Sequence, residues 1–173
     1  MPAALFMTQV LSLFRDATHH SFSPEDIARE INDVLAENNP TMMFCTYIVG
    51  VLKGNKLTFC NAGHNKPVII RKDKQPELLQ MRPHTALGLM EGFPYKNESL
   101  ILAPDDVLLL YTDGVTEAMD VHHEQFGESR LIDALSANNN DYIDSVLSKV
   151  ESFVGNYEQS DDITILSITA TSK

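Results

Sequence analysis

The stretch from Phe44 to His64, FCTYIVGVLKGNKLTFCNAGH, sets two apolar runs on either side of Gly54 and Asn55. A Gly-Asn pair inside such a pattern reads as a two-residue hairpin turn, because both residues tolerate the left-handed backbone that the turn needs. The turn fixes a register in which Lys53 faces Lys56 and Cys45 falls opposite His64 rather than Cys60. The two cysteines then stand about four residues out of step, roughly 13 Å at the usual strand rise. A disulfide needs Cα atoms within about 7 Å, so both are expected to be free core thiols.

Further strand signals follow the hairpin. KPVIIRK reads as a third strand, ELLQM as a short fourth, YKNESLILA as a fifth and DVLLLYTD as a sixth, each bounded by Gly, Pro, Asn or Asp. Their successive hairpin-like links predict antiparallel sheets. Helical patterns flank this block. Ala3, Phe6, Val10, Leu13, Phe14 and Ala17 form one stripe on a helix expected to start at Pro2. A second helix carries Ile27, Ile31, Val34 and Leu35, with Ser23 as its expected cap, Pro24 in the first turn, and ENNP at residues 37–40 as its stop. After Asp120 come a helix with Leu131, Ile132 and Leu135 and a longer one from Tyr142 to Phe153, then a closing strand, DDITILSITA. With no repeat, low-complexity tract or linker, residues 1–173 read as one α+β domain with helices packed on antiparallel sheets.

Charge and composition exclude several classes. A chain of 173 residues, 43% hydrophobic and 21% charged, has enough apolar material for a full core. No run of about 18 apolar residues is present, so no membrane span is expected. The opening MPAALFMTQVLSLFRD lacks a basic start and a small-residue cleavage site, which leaves a cytoplasmic setting as the expectation. A net charge of −11 argues against nucleic acid as a partner. Arg71, Lys72 and Lys74 do gather, and are expected to be a solvated strand end rather than an anion site.

The chemistry concentrates at strand ends. VLLLYTDGVTEAMD ends an apolar strand in Asp113, and Asp161 opens the last strand. A carboxylate at the end of a buried strand is costly unless it meets a cation, a donor or water, and a divalent metal satisfies its lone pairs together. If the two strands lie side by side in the middle of one sheet, Asp113 and Asp161 form half of a metal site. Oxygen ligands without Cys or His favour Mg²⁺ or Mn²⁺ over Zn²⁺. Gly114 would allow a tight turn and close approach of water or phosphate to the backbone. Taken singly, TDG and SDDIT are also ordinary turn signals. His64, in NAGHNKP, suits a turn-stabilising role as well as a catalytic acid. His122, His123 and Glu124 lack the i, i+4 spacing of a helical zinc motif. No phosphate loop, nucleophile elbow or dinucleotide fingerprint is present, so a metal-activated water is the better candidate nucleophile.

In order along the chain, MPAALFM, FCTYIVGVL, LTFCNAGHNKPVII, TALGL, LLLYTDGVTEAMD, FGESRL and SDDITIL resemble the metal-dependent protein phosphatase (PPM) family, in its bacterial SpoIIE-like branch. The resemblance implies a four-layer α-β-β-α sandwich of two antiparallel sheets with a two-metal Mn²⁺ or Mg²⁺ site at one edge. It implies hydrolysis of phosphoserine or phosphothreonine by a metal-activated water, with no phospho-enzyme, on a regulatory protein such as an anti-sigma-factor antagonist. Control by an attached sensor or receiver domain is also implied. By motif, Asp113 carries over as a metal ligand and Asp161 as a second, with Asp162 the less suited of its pair. His64 belongs to a shared motif, but no chemical role carries over to it; Gly114 and His64 are expected to offer at most a backbone or loop contribution.

Family members place strands before the helix that matches residues 3–17, including a Gly-Asp pair that bridges the metals. This chain opens at MPAALFM, so an N-terminally truncated domain with an incomplete metal site is expected. Weak or no activity follows, together with a tendency to form homodimers through exposed sheet edges. The alternative is a non-catalytic module that binds the same partner. A metal-binding structural domain of unrelated function is the third possibility.

Overall fold

A computed structural model describes residues 3–21, 23–37, 39–136, 141–159 and 161–171. The expected helix start at Pro2 lies outside the described residues. The chain divides into two compact units, residues 1–64 with 81–102, and residues 65–80 with 103–173.

In the first unit, helices α1 (Ala3–His20) and α2 (Pro24–Glu37) accompany a three-stranded antiparallel sheet. Its order is β1 (Tyr47–Lys53), β2 (Lys56–Ala62) and β5 (Glu98–Ile101). The Gly54-Asn55 turn sets Lys53 opposite Lys56 and Val49 opposite Cys60, as the hairpin pattern predicts. Beyond Tyr47 that register is not kept. Cys45 exchanges backbone hydrogen bonds with Leu87 instead of facing His64, so the ladder ends two residues early. Both thiols are free, but only Cys60 is fully buried, and Cys45 is half-buried. Phe6, Val10, Ile27, Ile31 and Leu35 close over Val49, Cys60 and Leu87 to form the core.

The entry to α2 also departs from expectation. The Ser23 hydroxyl accepts from Asn97 Nδ2 at 3.2 Å. Asn97 supplies the cap itself: its Oδ1 accepts from the Glu25 amide at 2.9 Å, and its own amide donates to the Glu25 carboxylate at 2.8 Å. A first-turn amide needs some acceptor, and here the acceptor comes from far along the chain.

The second unit is a four-stranded antiparallel sheet in the order β4 (Glu77–Leu78), β3 (Val68–Ile70), β6 (Val107–Tyr111), β7 (Ile165–Thr169). Helices α4 (Gly127–Ser136) and α5 (Tyr142–Val154) pack with it, and a single turn, α3 (Asp113–Thr116), follows β6. Val107, Leu109 and Tyr111 project to one face, where they join Val68, Ile70, Leu131, Leu135, Val146 and Val150 in the core. Ile69 and Leu108, on the other face, are buried as well. Burial on both faces explains why β6 reads as an unbroken aliphatic run. Strand β7, expected in mid-sheet, has β6 as its one neighbour among the described residues. Arg71, expected to face solvent, instead meets the buried Asp106 carboxylate at 3.6 Å and Glu77 at 3.4 Å.

Candidate metal centre

Strands β6 and β7 deliver the two acidic motifs to one end of the second sheet. The ladder puts Tyr111 opposite Ile165 and then continues through threonines. The Thr112 amide donates to the Thr164 carbonyl at 3.0 Å, and the Thr164 amide donates to Thr112 Oγ1 at 3.0 Å. The Thr112 hydroxyl donates in turn to the Asp162 carbonyl at 3.1 Å. Thr112 therefore ties the Asp161-Asp162 backbone to the start of α3, although its side chain makes no helix cap.

Gly114 is buried and sits inside the α3 turn rather than in a tight non-helical turn. A Cβ at this position would collide with the Asp162 carbonyl, 2.9 Å from its carbon, and would lie 3.3 Å from the Asp161 oxygen. Glycine is needed because the other motif's backbone passes there. The partner in that close approach is protein, where the sequence pointed to water or phosphate.

Asp113 and Asp161 are both exposed. Asp113 Oδ1 accepts from the Gly114 amide at 3.0 Å, and Asp161 Oδ1 accepts from the Asp162 amide at 2.7 Å. Neither carboxylate forms an ion pair among the described residues. Each thus commits one oxygen to its own chain and keeps the other available. Two such carboxylates fit a hard divalent cation as oxygen donors. Gln159 Nε2 donates to the Asp161 carbonyl at 2.6 Å, which holds that loop from its other side.

Tyr111, just before the motif, has its hydroxyl buried with no hydrogen-bond partner among the described residues. Burial, with a smaller push from the Glu128 carboxylate, raises its phenol to about 12.

His64 belongs to the first unit. Its amide donates to Asn61 Oδ1 at 2.8 Å, Asn61 Nδ2 donates to its carbonyl at 3.0 Å, and its Nδ1 meets the Thr46 hydroxyl at 3.2 Å. Gly63 has φ +72 and comes so close to the Ala86 backbone that a Cβ would lie 2.8 Å from the Ala86 nitrogen. Asn61 and His64 of NAGHN thus make a side-chain-clamped turn, a structural use of both residues.

In the second unit, Asp120 Oδ1 accepts the amides of His122 and Glu124, both at 2.9 Å, and the hydrogen bond from Glu124 chiefly holds its carboxyl below the ordinary range. His123 Nδ1 meets Tyr157 Oη at 3.1 Å. The sequence did not single out Thr112, Gln159 or Tyr157. A further trio, Asp16, His20 and Glu30, brings its ligand atoms within 4.8 Å of one another on α1 and α2, exposed to solvent. The i, i+4 spacing of Asp16 and His20 is the signal that could have found it.

Solved structures show the same architecture. Over 98% of this chain and 70% of the other, the chain is similar to the SiaA-PP2C domain of Pseudomonas aeruginosa, with a TM-score of 0.77 at 22% identity. It is also similar to the catalytic domain of the serine threonine protein phosphatase PstP in complex with two manganese ions, with a TM-score of 0.61 at 12% identity over 94% of this chain and 81% of that one. These likenesses show the α+β sandwich fold of the PP2C-type phosphatases. The model of the stage II sporulation protein E (SpoIIE) family matches residues 1–171, and the chain belongs to that family. Among curated proteins it is 32% identical to protein IcfG of Synechocystis sp. strain PCC 6803 over 81% of the chain. It is 26% identical to the phosphoserine phosphatase RsbU of Bacillus subtilis over 68% of the chain. It spans 23% of the length of IcfG and 36% of that of RsbU.

Proposed function

We propose that residues 1–173 form one metal-dependent protein serine/threonine phosphatase domain. Its substrate is a phosphorylated regulatory protein of the anti-sigma-factor antagonist kind, in a cytoplasmic signalling pathway under a sensor or receiver domain. The observation that carries this reading is the backbone contact of Gly114 with Asp162, which sets the Asp113 and Asp161 motifs side by side. The resemblance of NAGHN, YTDGVTEA and DDIT to the family motifs, and the phosphoserine phosphatase activity in the name of RsbU, support it.

Asp113 and Asp161 would hold Mn²⁺ or Mg²⁺ through their uncommitted oxygens. When bound, such an ion activates water and neutralises charge on the phosphoryl oxygens. Thr112 and the Gly114 approach hold the backbones of the two aspartate motifs against each other. Without a cation, the same carboxylates would repel a phosphorylated side chain.

A second reading, a binding module of the same fold, draws on a specific observation. Among the described residues the trio with ligand atoms within 4.8 Å is Asp16, His20 and Glu30, so no third acid or histidine joins Asp113 and Asp161 at that range. Two carboxylates alone hold a metal loosely, and weak turnover would follow. Pairing of a second copy along a sheet edge, such as β1 or β7, would then be a further property of the chain.

Hydrolysis of p-nitrophenyl phosphate and of a phosphoserine protein with added Mn²⁺ tests the proposal against Asp113→Asn. The variant should lose at least about 100-fold of the metal-dependent rate. Wild-type activity in the variant would remove Asp113 from the site. Metal-independent capture of a phosphoprotein that is never dephosphorylated would establish the binding module instead.

A further inference from the structure

Tyr157 and His123 join two loops that the sequence does not connect. The Tyr157 hydroxyl meets His123 Nδ1 at 3.1 Å, and the two rings stand edge to face with centroids 5.4 Å apart. Each partner is held by its own element. Gly155, at φ +60, ends α5 with its amide on the Glu151 carbonyl, and the Tyr157 amide donates to the Val154 carbonyl at 3.1 Å. His123 keeps a left-handed φ of +61, uncommon outside glycine, at the tip of a turn that Asp120 closes through the His122 and Glu124 amides. That turn is anchored to the helices by Arg130. Its guanidinium donates to the Gln125 and Phe126 carbonyls and lies 4.6 Å over the Phe153 ring.

The fixed end of this clasp is therefore the 119–126 turn, and the end it restrains is the segment that leaves α5. Two residues beyond Tyr157, Gln159 donates to the Asp161 carbonyl. Tyr157, Gln159 and Asp162 also line one cleft of about 650 Å³. Asp161 is exposed, so its position depends on such backbone ties rather than on packing.

We infer that Tyr157, clasped to His123, is a positioning residue for Asp161, acting by fixing the loop on which that carboxylate is carried. This rests on the reading of Asp161 as a metal ligand. Loss of the clasp should loosen the loop and weaken metal binding without removing a ligand.

Mn²⁺ titration of the whole chain, followed through the electron paramagnetic resonance of free Mn²⁺, tests it. Tyr157→Phe keeps the ring and removes the hydroxyl, and should bind Mn²⁺ about 3–10-fold more weakly than the parent. His123→Asn, whose side chain tolerates the same left-handed backbone, should match it, and the double variant should be no weaker than either single. Thermal unfolding of each variant is recorded alongside. A lowered midpoint with unchanged Mn²⁺ affinity would show a structural role only and overturn the inference. Asp161→Asn is the reference. If it weakens binding while Tyr157→Phe and His123→Asn do not, the clasp is refuted and the metal reading stands. If Asp161→Asn itself binds like the parent, both fall.

Discussion

Gly114 and Asp162 meet backbone to backbone: a Cβ on Gly114 would stand 2.9 Å from the carbonyl carbon of Asp162. Main-chain atoms cannot rotate away as a flexible side chain can, so Gly114→Ala must push α3 and the Asp161-Asp162 segment apart. The expected cost is about 1–3 kcal/mol, read as a lower urea midpoint. The same displacement should weaken Mn²⁺ binding although no ligand is altered. A variant with the parent's stability and Mn²⁺ affinity would mean that the close approach does not govern the site.

Tyr111 presents the opposite case, a group whose removal should help. Its buried hydroxyl has no partner among the described residues, so it is desolvated without return. Tyr111→Phe should leave stability unchanged or raise it by up to about 1 kcal/mol near neutral pH, measured by urea unfolding. The pH dependence has a definite sign. The folded phenol lies at about 12, above its ordinary value near 10 in an unfolded chain. The unfolded state therefore loses its proton first, and stability present below pH ~10 is lost as pH rises toward 12. Tyr111→Phe should lose less stability than the parent across that alkaline window.

Asn97 should prove to be the cap of α2. Asn97→Ala removes the acceptor of the Glu25 amide and should cost about 1 kcal/mol, whereas Ser23→Ala, which loses only a bond from Asn97, should cost less. Equal losses, or a larger loss at Ser23, would return the cap to the position that the sequence pattern suggested.

What the sequence disclosed follows the range of the interaction. The hairpin at Gly54-Asn55 was legible because its turn chemistry lies within a few residues, and the register from Lys53 to Tyr47 followed from it. Strand partners were not legible. The pattern marks β3, β5 and β6 as strands, but nothing local shows that β5 pairs with β2 while β6 pairs with β3 and β7. The cap failed for the same reason, since Asn97 reaches Glu25 across 72 residues. At the candidate site, Asp113 and Asp161 stood out as acids ending apolar strands. The reason for Gly114 did not, because it lies in the carbonyl of Asp162, in the loop before β7 and distant in sequence. His64 drew attention as a polar residue in a turn, and its bonds to Asn61 and Thr46 account for that prominence. His123 was visible as part of a His-His-Glu run, yet its partner Tyr157 carries no local signal.

The central claim is that Asp113 and Asp161 bind one divalent site together. Isothermal titration with Mn²⁺ of the parent, Asp113→Asn, Asp161→Asn and the double variant tests it most directly. If they share a site, each single variant should weaken binding by at least about 10-fold, and the double should be little weaker than the singles. Affinity unchanged in either single variant, or losses that simply add in the double, would contradict a shared metal centre.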